Sequence, residues 1–314
     1  MIYDNKEKIV DKKVIAIIIP VFNGLNYTKE CLNSLSRILS GISSSGVDFE
    51  IIVVDDGSKD GTASWVTQNH PAVHLLYGDG TLWWSGGINK GMRYAKENLN
   101  ADYFLWWNND IQPADDYFDQ LLKLIQSTSS NILIGSKIFI LNENKIWGMG
   151  GRFSPTSGRR YMYGEQQEDG DAFRKPFEVD WFPGMGTLMH RDVFDKIGLL
   201  DADNFPQYHG DSDYTFRTKK AGFTLIAFPQ LVIHNDNSNS GLKHEGRSEG
   251  LYKTLTNIKS NYNLRKDIIF YRKHTNSPLA YVLLFNKYFR YIGGFYKWKF
   301  LNAFGINKPS NDKR

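Results

Sequence analysis

The chain has 314 residues, 41% hydrophobic and 23% charged, enough apolar material for a full core in one large domain or two small ones. Its single cysteine, Cys31, excludes an intrachain disulfide and a cysteine-cluster metal site, and fits a reducing compartment. No apolar run approaches the ~20 residues of a membrane-spanning helix, and the first ten residues, MIYDNKEKIV, carry no signal-peptide run, so a cytoplasmic setting is expected.

The net charge of +4 hides an asymmetry. Residues 251–314 hold 13 Lys or Arg against 2 acids, whereas residues 1–250 hold 25 against 32. The two parts face different neighbours. The expected division is therefore a main domain over 1–250, with halves at about 14–130 and 131–250, and a basic, aromatic, helical extension over 251–314.

In chain order, Val14–Ile19 is a β-branched run ending at Pro20, the pattern of a strand buried on both faces. Leu32, Leu35 and Leu39 then fall on one helical face, with Thr28 as the expected N-cap. Ile51–Val54 reads as a second buried strand stopped by Asp55-Asp56-Gly57-Ser58, followed by a helix from about Thr62. Val73–Tyr77 is a third strand, Ile88, Met92 and Ala95 a helical stripe, and Tyr103–Trp107 a fourth strand ending at Asn108-Asn109-Asp110. This alternation predicts an α/β fold with a mainly parallel central sheet flanked by helices, whose ligands sit beyond the carboxyl ends of the strands. Beyond residue 130 the alternation breaks. Strands are expected at Ile132–Ile140, Lys145–Arg152, Phe223–Phe228 and Leu231–His234, helices at Arg191–Ile197 and Asp211–Ala221, and loops at Gly158–Glu168 and Asn235–Gly246. The tail from Leu251 reads as helices with a break at Ser277-Pro278.

Four polar clusters stand out against this frame. Asp55 and Asp56 follow a buried strand, where a carboxylate can accept hydrogen bonds from a base or a ribose hydroxyl; the same sequence also suits a turn with a helix cap. Asp110, at the end of Asn108-Asn109-Asp110, offers an oxygen ligand to a hard cation bridging a diphosphate. His209-Gly210-Asp211-Ser212-Asp213 opens a helix, so its carboxylates serve either as caps or as a base for an acceptor hydroxyl. His234 near a strand end can complete a mixed oxygen and nitrogen shell around Mn²⁺ or Mg²⁺.

The order of these clusters resembles family-2 glycosyltransferases of the GT-A fold, in particular the bacterial rhamnosyl- and galactofuranosyltransferase-like branch. The likeness runs from about Val14 to His234 and includes Phe182-Pro183-Gly184-Met185-Gly186, Asp211-Ser212-Asp213-Tyr214 and Ala221-Gly222-Phe223. It implies an inverting transfer of a sugar from a UDP- or dTDP-linked donor to a glycan or lipid-linked acceptor, in bacterial surface polysaccharide synthesis. It also implies roles. Pro20, Phe22, Asn23, Asp55, Asp56, Gly86, Gly87, Asn89, Asn108 and Asn109 line the donor, with Asp55 on the base and the Gly86 and Gly87 N–H groups toward phosphate. Asp110 and His234 hold Mn²⁺ or Mg²⁺. Asp211 is the catalytic base, with Asp213 the alternative, and Trp181, Gly184 and Asp213 lie on the acceptor side. Trp83 or Trp84 stacks on a sugar. Two departures stand against the pattern: Asn108 replaces the first Asp of Asp-X-Asp, and Gly210 replaces a Glu common before the base.

The rival readings are a sugar nucleotidyltransferase, which lacks its Gly-rich triphosphate loop here, and a catalytically silent GT-A binding or scaffold module. No nucleic-acid motif accompanies the basic tail. That tail interleaves Lys287, Arg290, Lys297 and Lys299 with aromatic residues, which suits either a peripheral position on the inner, anionic face of a membrane or packing against protein, a second subunit included.

Overall fold

The computed structural model describes residues 12–42, 46–236 and 250–304, in two compact units. One takes the described residues of Met1–Arg152 and Met162–Asn239, the other those of Phe153–Tyr161 and Ser240–Arg314. Most of the loop expected at 235–246 and the opening MIYDNKEKIV lie outside the described residues.

The chain runs β1 (Lys13–Val21), α1 (Leu25–Ser40), β2 (Val47–Asp55), α2 (Thr62–Asn69), β3 (His74–Tyr77), α3 (Trp83–Leu99) and β4 (Tyr103–Trp106). It continues through β5 (Ile111–Pro113), α4 (Tyr117–Ser127), β6 (Ile132–Ile140), β7 (Ile146–Gly148), β8 (Gly151–Phe153), β9 (Arg160–Met162), β10 (Phe177–Glu178) and β11 (Thr187–His190). Then come α5 (Arg191–Ile197), α6 (Gly210–Lys220) and β12 (Thr224–Asn235). Among the described residues the main sheet has the order β10-β12-β6-β11-β4-β1-β2-β3, with β5 added to β12 and β7 to β6. β1 pairs in parallel with β2 and β4, and β2 with β3, whereas β11 is antiparallel to both β4 and β6.

β1 shows why the apolar runs become central strands. Ile15 through Ile19 are fully buried. Ile15, Ile17 and Ile19 pack with Leu32 and Leu35 of α1 and Leu121 of α4, and Ala16 and Ile18 pack with Ile88 and Met92 of α3. Each such Ile contributes roughly 1.5–3 kcal/mol by leaving water, and burial on both faces requires helices on both sides.

Local details differ from the sequence expectations, each for a physical reason. α1 starts at Leu25 with Gly24 at the N-cap, and Thr28 is a buried first-turn residue whose Oγ1 donates to the Gly24 carbonyl at 2.8 Å. The strand expected over 145–152 is split into β7 and β8 by Gly150, which sits at φ 77°. The two strands expected over 223–234 are one strand, β12, irregular between Phe228 and Val232, where Pro229 cannot donate to a ladder.

In the second unit α7 (Leu251–Thr256), α8 (Leu264–His274) and α9 (Pro278–Ala303) follow one another. Ser277 caps α9 through a 3.2 Å bond from the Leu279 N–H, with Pro278 at a first-turn position that needs no N–H. α9 buries Ala280, Leu284 and Tyr288. The Tyr288 hydroxyl donates to Asp267 at 2.9 Å, and Lys287 pairs with the same carboxylate at 2.6 Å. Residues 153–161, far from the tail in sequence, belong to this unit too: the Tyr271 hydroxyl donates to the Gly158 carbonyl at 3.2 Å.

Candidate active site

The carboxyl ends of β1, β2 and β3 carry loops tied to one another by side chains. Asn23, at φ 50°, donates its N–H to Ser58 Oγ at 2.9 Å and accepts the Lys59 N–H at 2.8 Å. Asp55 accepts the Ser58 N–H at 2.8 Å. Asp56 uses both oxygens: Oδ1 accepts the Gly80 N–H and Oδ2 the Trp83 N–H, each at 2.9 Å. The second bond holds Trp83 at φ 55°, a left-handed conformation that L-residues avoid by about 1–2 kcal/mol. Asp56 is thus committed to shaping the loop before α3, while the Phe22 ring stands exposed at the end of β1.

Four residues assigned to the donor are engaged within the protein. Gly86 and Gly87 are the fourth and fifth residues of α3, which begins at Trp83 and not after them; the Gly86 N–H is bonded to the Leu82 carbonyl. A Cβ on Gly87 would stand 2.8 Å from Pro20 Cβ, so this glycine brings α3 against β1. Asn89 is buried and brackets Leu200, donating to its carbonyl at 2.9 Å and accepting its N–H at 2.8 Å. Asn109 likewise ties the turn after β4 to the start of α1, donating to Thr28 Oγ1 at 3.0 Å.

The second and third clusters are joined through Trp84. Its indole N–H donates to Asn108 Oδ1 at 2.9 Å, and its ring packs edge-on against Trp106. The ring also lies so close to Gly184 that a Cβ there would be 2.1 Å from it. The Gly184 N–H in turn donates to Asp211 Oδ2 at 3.1 Å, and the Ser212 N–H to Asp211 Oδ1 at 2.7 Å. A line of contacts therefore runs from Asn108 through Trp84 and Gly184 to Asp211. Asp213, the alternative base, is fully buried and paired with Arg217 at 2.9 Å. Arg217 also donates to the carbonyls of Ile197 and Leu199. The Gly210 departure has a steric cause, since a Cβ would stand 2.1 Å from Ser85 Oγ. Trp181, expected on the acceptor side, has its ring buried and its indole N–H without a protein partner.

Asp110 differs from its neighbours. Its Oδ1 is buried and has no hydrogen-bond partner. Burial, with the Asp236 carboxylate adding to it, pushes Asp110 up to about 6, against a lowering hydrogen bond from Asn108. The Asp236 N–H donates to the Asp110 carbonyl at 2.9 Å, which sets the two residues side by side across β5 and β12. His234 pairs with Gln112, two residues further along, and stacks on Phe139 at 5.7 Å; burial lowers its pKa and keeps the ring neutral. Asp236 is the neighbour the sequence reading missed, although period two along β12 puts it on the same face as His234. Among the described residues no three His, Cys, Asp or Glu side chains gather to hold a metal ion.

The profile of Glycosyl transferase family 2 matches residues 16–198. The chain belongs to that family. An uncharacterized glycosyltransferase of Rickettsia typhi is 23% identical over 297 residues, 89% of this chain and 81% of its own length. The N-acetylglucosaminyl-diphospho-decaprenol L-rhamnosyltransferase of Mycobacterium tuberculosis is 24% identical over 230 residues, 66% of this chain and 73% of its own. The crystal structure of GalNAc-T7 with UDP, GalNAc and Mn²⁺ superposes with a TM-score of 0.54 at 14% identity, over 71% of this chain and 44% of that one. The fold is that of GT-A glycosyltransferases, with a helical C-terminal extension. The family match ends before Asp211 and His234, so the roles of both rest on this chain's own geometry.

Proposed function

We propose that this glycosyltransferase moves a sugar from a UDP- or dTDP-linked donor to a glycan or lipid-linked acceptor, with inversion, in surface polysaccharide synthesis. The observation that carries the reading is the line from Asn108 through Trp84 and Gly184 to Asp211, with the orphaned Asp110 oxygen beside Asn108. It supplies a carboxylate for a proton at one end and one for a cation at the other.

Asp211 takes the proton from the acceptor hydroxyl. The freed oxygen forms its bond to C1 as the C1–O bond to the diphosphate breaks on the opposite face, and the nucleoside diphosphate leaves with the bonding electrons. One in-line displacement inverts the anomeric carbon. Bonds from the Gly184 and Ser212 N–H groups fix the Asp211 carboxylate, and those that Asp56 accepts from the Gly80 and Trp83 N–H groups hold the loop before α3 in place. The exposed Phe22 ring suits a base at the end of β1, whereas Asp55, at the end of β2, is itself buried and holds the Ser58 N–H.

Asp110 fits Mn²⁺ or Mg²⁺: its buried oxygen lacks a partner, and a second carboxylate stands beside it. Asp110, with Asp236 or the neutral His234, would hold the ion, and donor phosphates would complete its oxygen shell. When bound, the ion neutralises charge on the departing diphosphate. GalNAc-T7, solved with UDP and Mn²⁺, and the rhamnosyltransferase that names a decaprenol-linked acceptor support these choices. A thermal-shift panel of UDP- and dTDP-sugars with and without Mn²⁺ tests the reading: one donor stabilises the chain only with metal, rising with ln(1 + [L]/Kd). Absence of any donor-dependent shift sinks it.

A further inference from the structure

α9 carries an apolar face that no part of the described chain covers. Val282, Phe285, Phe289, Tyr296, Phe300 and Phe304 are all exposed, Phe285 at 71% and Phe289 at 66%. Steps of three and four residues, bridged by Gly293, bring them onto one side of the helix axis. The opposite side, with Ala280, Leu284 and Tyr288, is the buried one. Arg290, Lys297 and Lys299 are exposed and flank the apolar stripe. α9 contains four basic residues and no acid, inside a 251–314 segment with 13 basic residues against 2 acids.

We infer that this face of α9 docks on an anionic lipid surface, lying in the plane of the interface. Aromatic rings at the boundary, with basic side chains reaching from both flanks to headgroup phosphates, are the arrangement of an in-plane amphipathic helix. The helix lies on the membrane and does not cross it: no helix among the described residues is long and apolar enough to span. Charge selects the occupant. A second copy laid symmetrically on this face would bring Arg290, Lys297 and Lys299 against the same residues of its partner, whereas an anionic leaflet opposes them with phosphates. Each basic residue near such a surface strengthens binding about fivefold. The inference rests on the second unit alone and stands apart from the transfer reaction.

Flotation of the full chain with vesicles tests it, because the readout needs neither donor nor acceptor. The protein should float with vesicles of phosphatidylcholine and phosphatidylglycerol in equal parts, stay behind with phosphatidylcholine alone, and release at about 0.5 M salt, where charges are screened within a few ångströms. Phe285→Ser with Phe289→Ser should abolish flotation. Lys297→Gln with Lys299→Gln should weaken partition about 25-fold. All four side chains are exposed, so circular dichroism and donor-dependent thermal shift should match the parent chain. Flotation on neither vesicle, equal flotation on both, or unchanged flotation of the Phe variant overturns the proposal. So does a dimer in sedimentation that the Phe variant dissolves without any vesicle binding, which would give the face to a second copy.

Discussion

Two polar regions at the carboxyl-end rim of the sheet use their side chains in opposite ways. Around the ends of β1 and β2, Asn23 and Asp56 hold backbone N–H groups of neighbouring loops, and Asn89 brackets Leu200 from α3. At the end of β4, Asp110 keeps a buried oxygen without a partner and a second carboxylate beside it. The first region is a frame completed by the protein itself, and the second leaves one buried carboxylate oxygen, Asp110 Oδ1, unmatched. A buried polar group left unmatched costs about 1–3 kcal/mol, and such strain gathers where a ligand is to be received. Polarity at a strand end is therefore a weak guide to chemistry, and the state of its hydrogen bonds is a better one.

Asp211→Asn should lower the transfer rate by at least ~10² while donor affinity stays the same, because the carboxylate acts on the acceptor. Single-turnover rates and donor titration separate the two effects. Equal loss in both would make Asp211 part of the frame.

Asp56→Ala should act on stability instead. It removes two hydrogen bonds to a charged group, each worth about 1.5–3 kcal/mol, and frees Trp83 from its left-handed conformation. Chemical denaturation should show a loss of about 3 kcal/mol or more, with donor binding weakened through the loop. A variant as stable as the parent would remove Asp56 from the frame.

How much of this was legible beforehand follows the same division. Ile15–Ile19 and Phe104–Trp106 are buried on both faces, and uninterrupted apolar runs announce that directly. β11 was invisible: four residues, Thr187–His190, form a strand only because β4 and β6 stand on either side of them. Gly86 and Gly87 read as a phosphate loop because Trp83 and Trp84, poor opening residues for a helix, conceal its start. Asn89 looked like a ligand contact because its true partner, Leu200, is 111 residues away. The pairing of Asp213 with Arg217 was readable from its i,i+4 spacing, as was Asp236 from the alternation along β12.

Asp110→Asn should show a trade between stability and function. Burial lifts Asp110 from an ordinary 3.8 to about 6 in the folded chain. The folded form therefore holds this proton more tightly than the unfolded one. The stability so gained is complete below about 3.8 and is lost as pH rises through about 6. At pH 7.5 the charged carboxylate costs up to about 3 kcal/mol, which a neutral isostere returns. The variant should melt higher than the parent at pH 7.5 and equally at pH 3.5, and should lose the Mn²⁺-dependent donor shift. A lower melting temperature at pH 7.5 would mean that Asp110 is satisfied within the protein.

The smallest effect should come from Trp84→Phe, which tests whether the frame and the poised centre communicate. A phenyl ring keeps part of the packing against Trp106 and gives up the outer atoms Cζ2 and Cη2 that lie against Gly184, whose own N–H bond to Asp211 stays in place. What disappears is the indole N–H to Asn108 Oδ1 at 2.9 Å, a neutral bond worth about 0.5–1.5 kcal/mol. Asn108 also donates toward Asp110, so releasing its other end loosens the amide that steadies that carboxylate. Donor affinity in the presence of Mn²⁺ should fall by up to about tenfold, the free-energy equivalent of that one bond. The rate of transfer from bound donor should stay near the parent value. If the rate falls and the affinity holds, Trp84 acts through Gly184 on Asp211 and the coupling runs toward the acceptor instead.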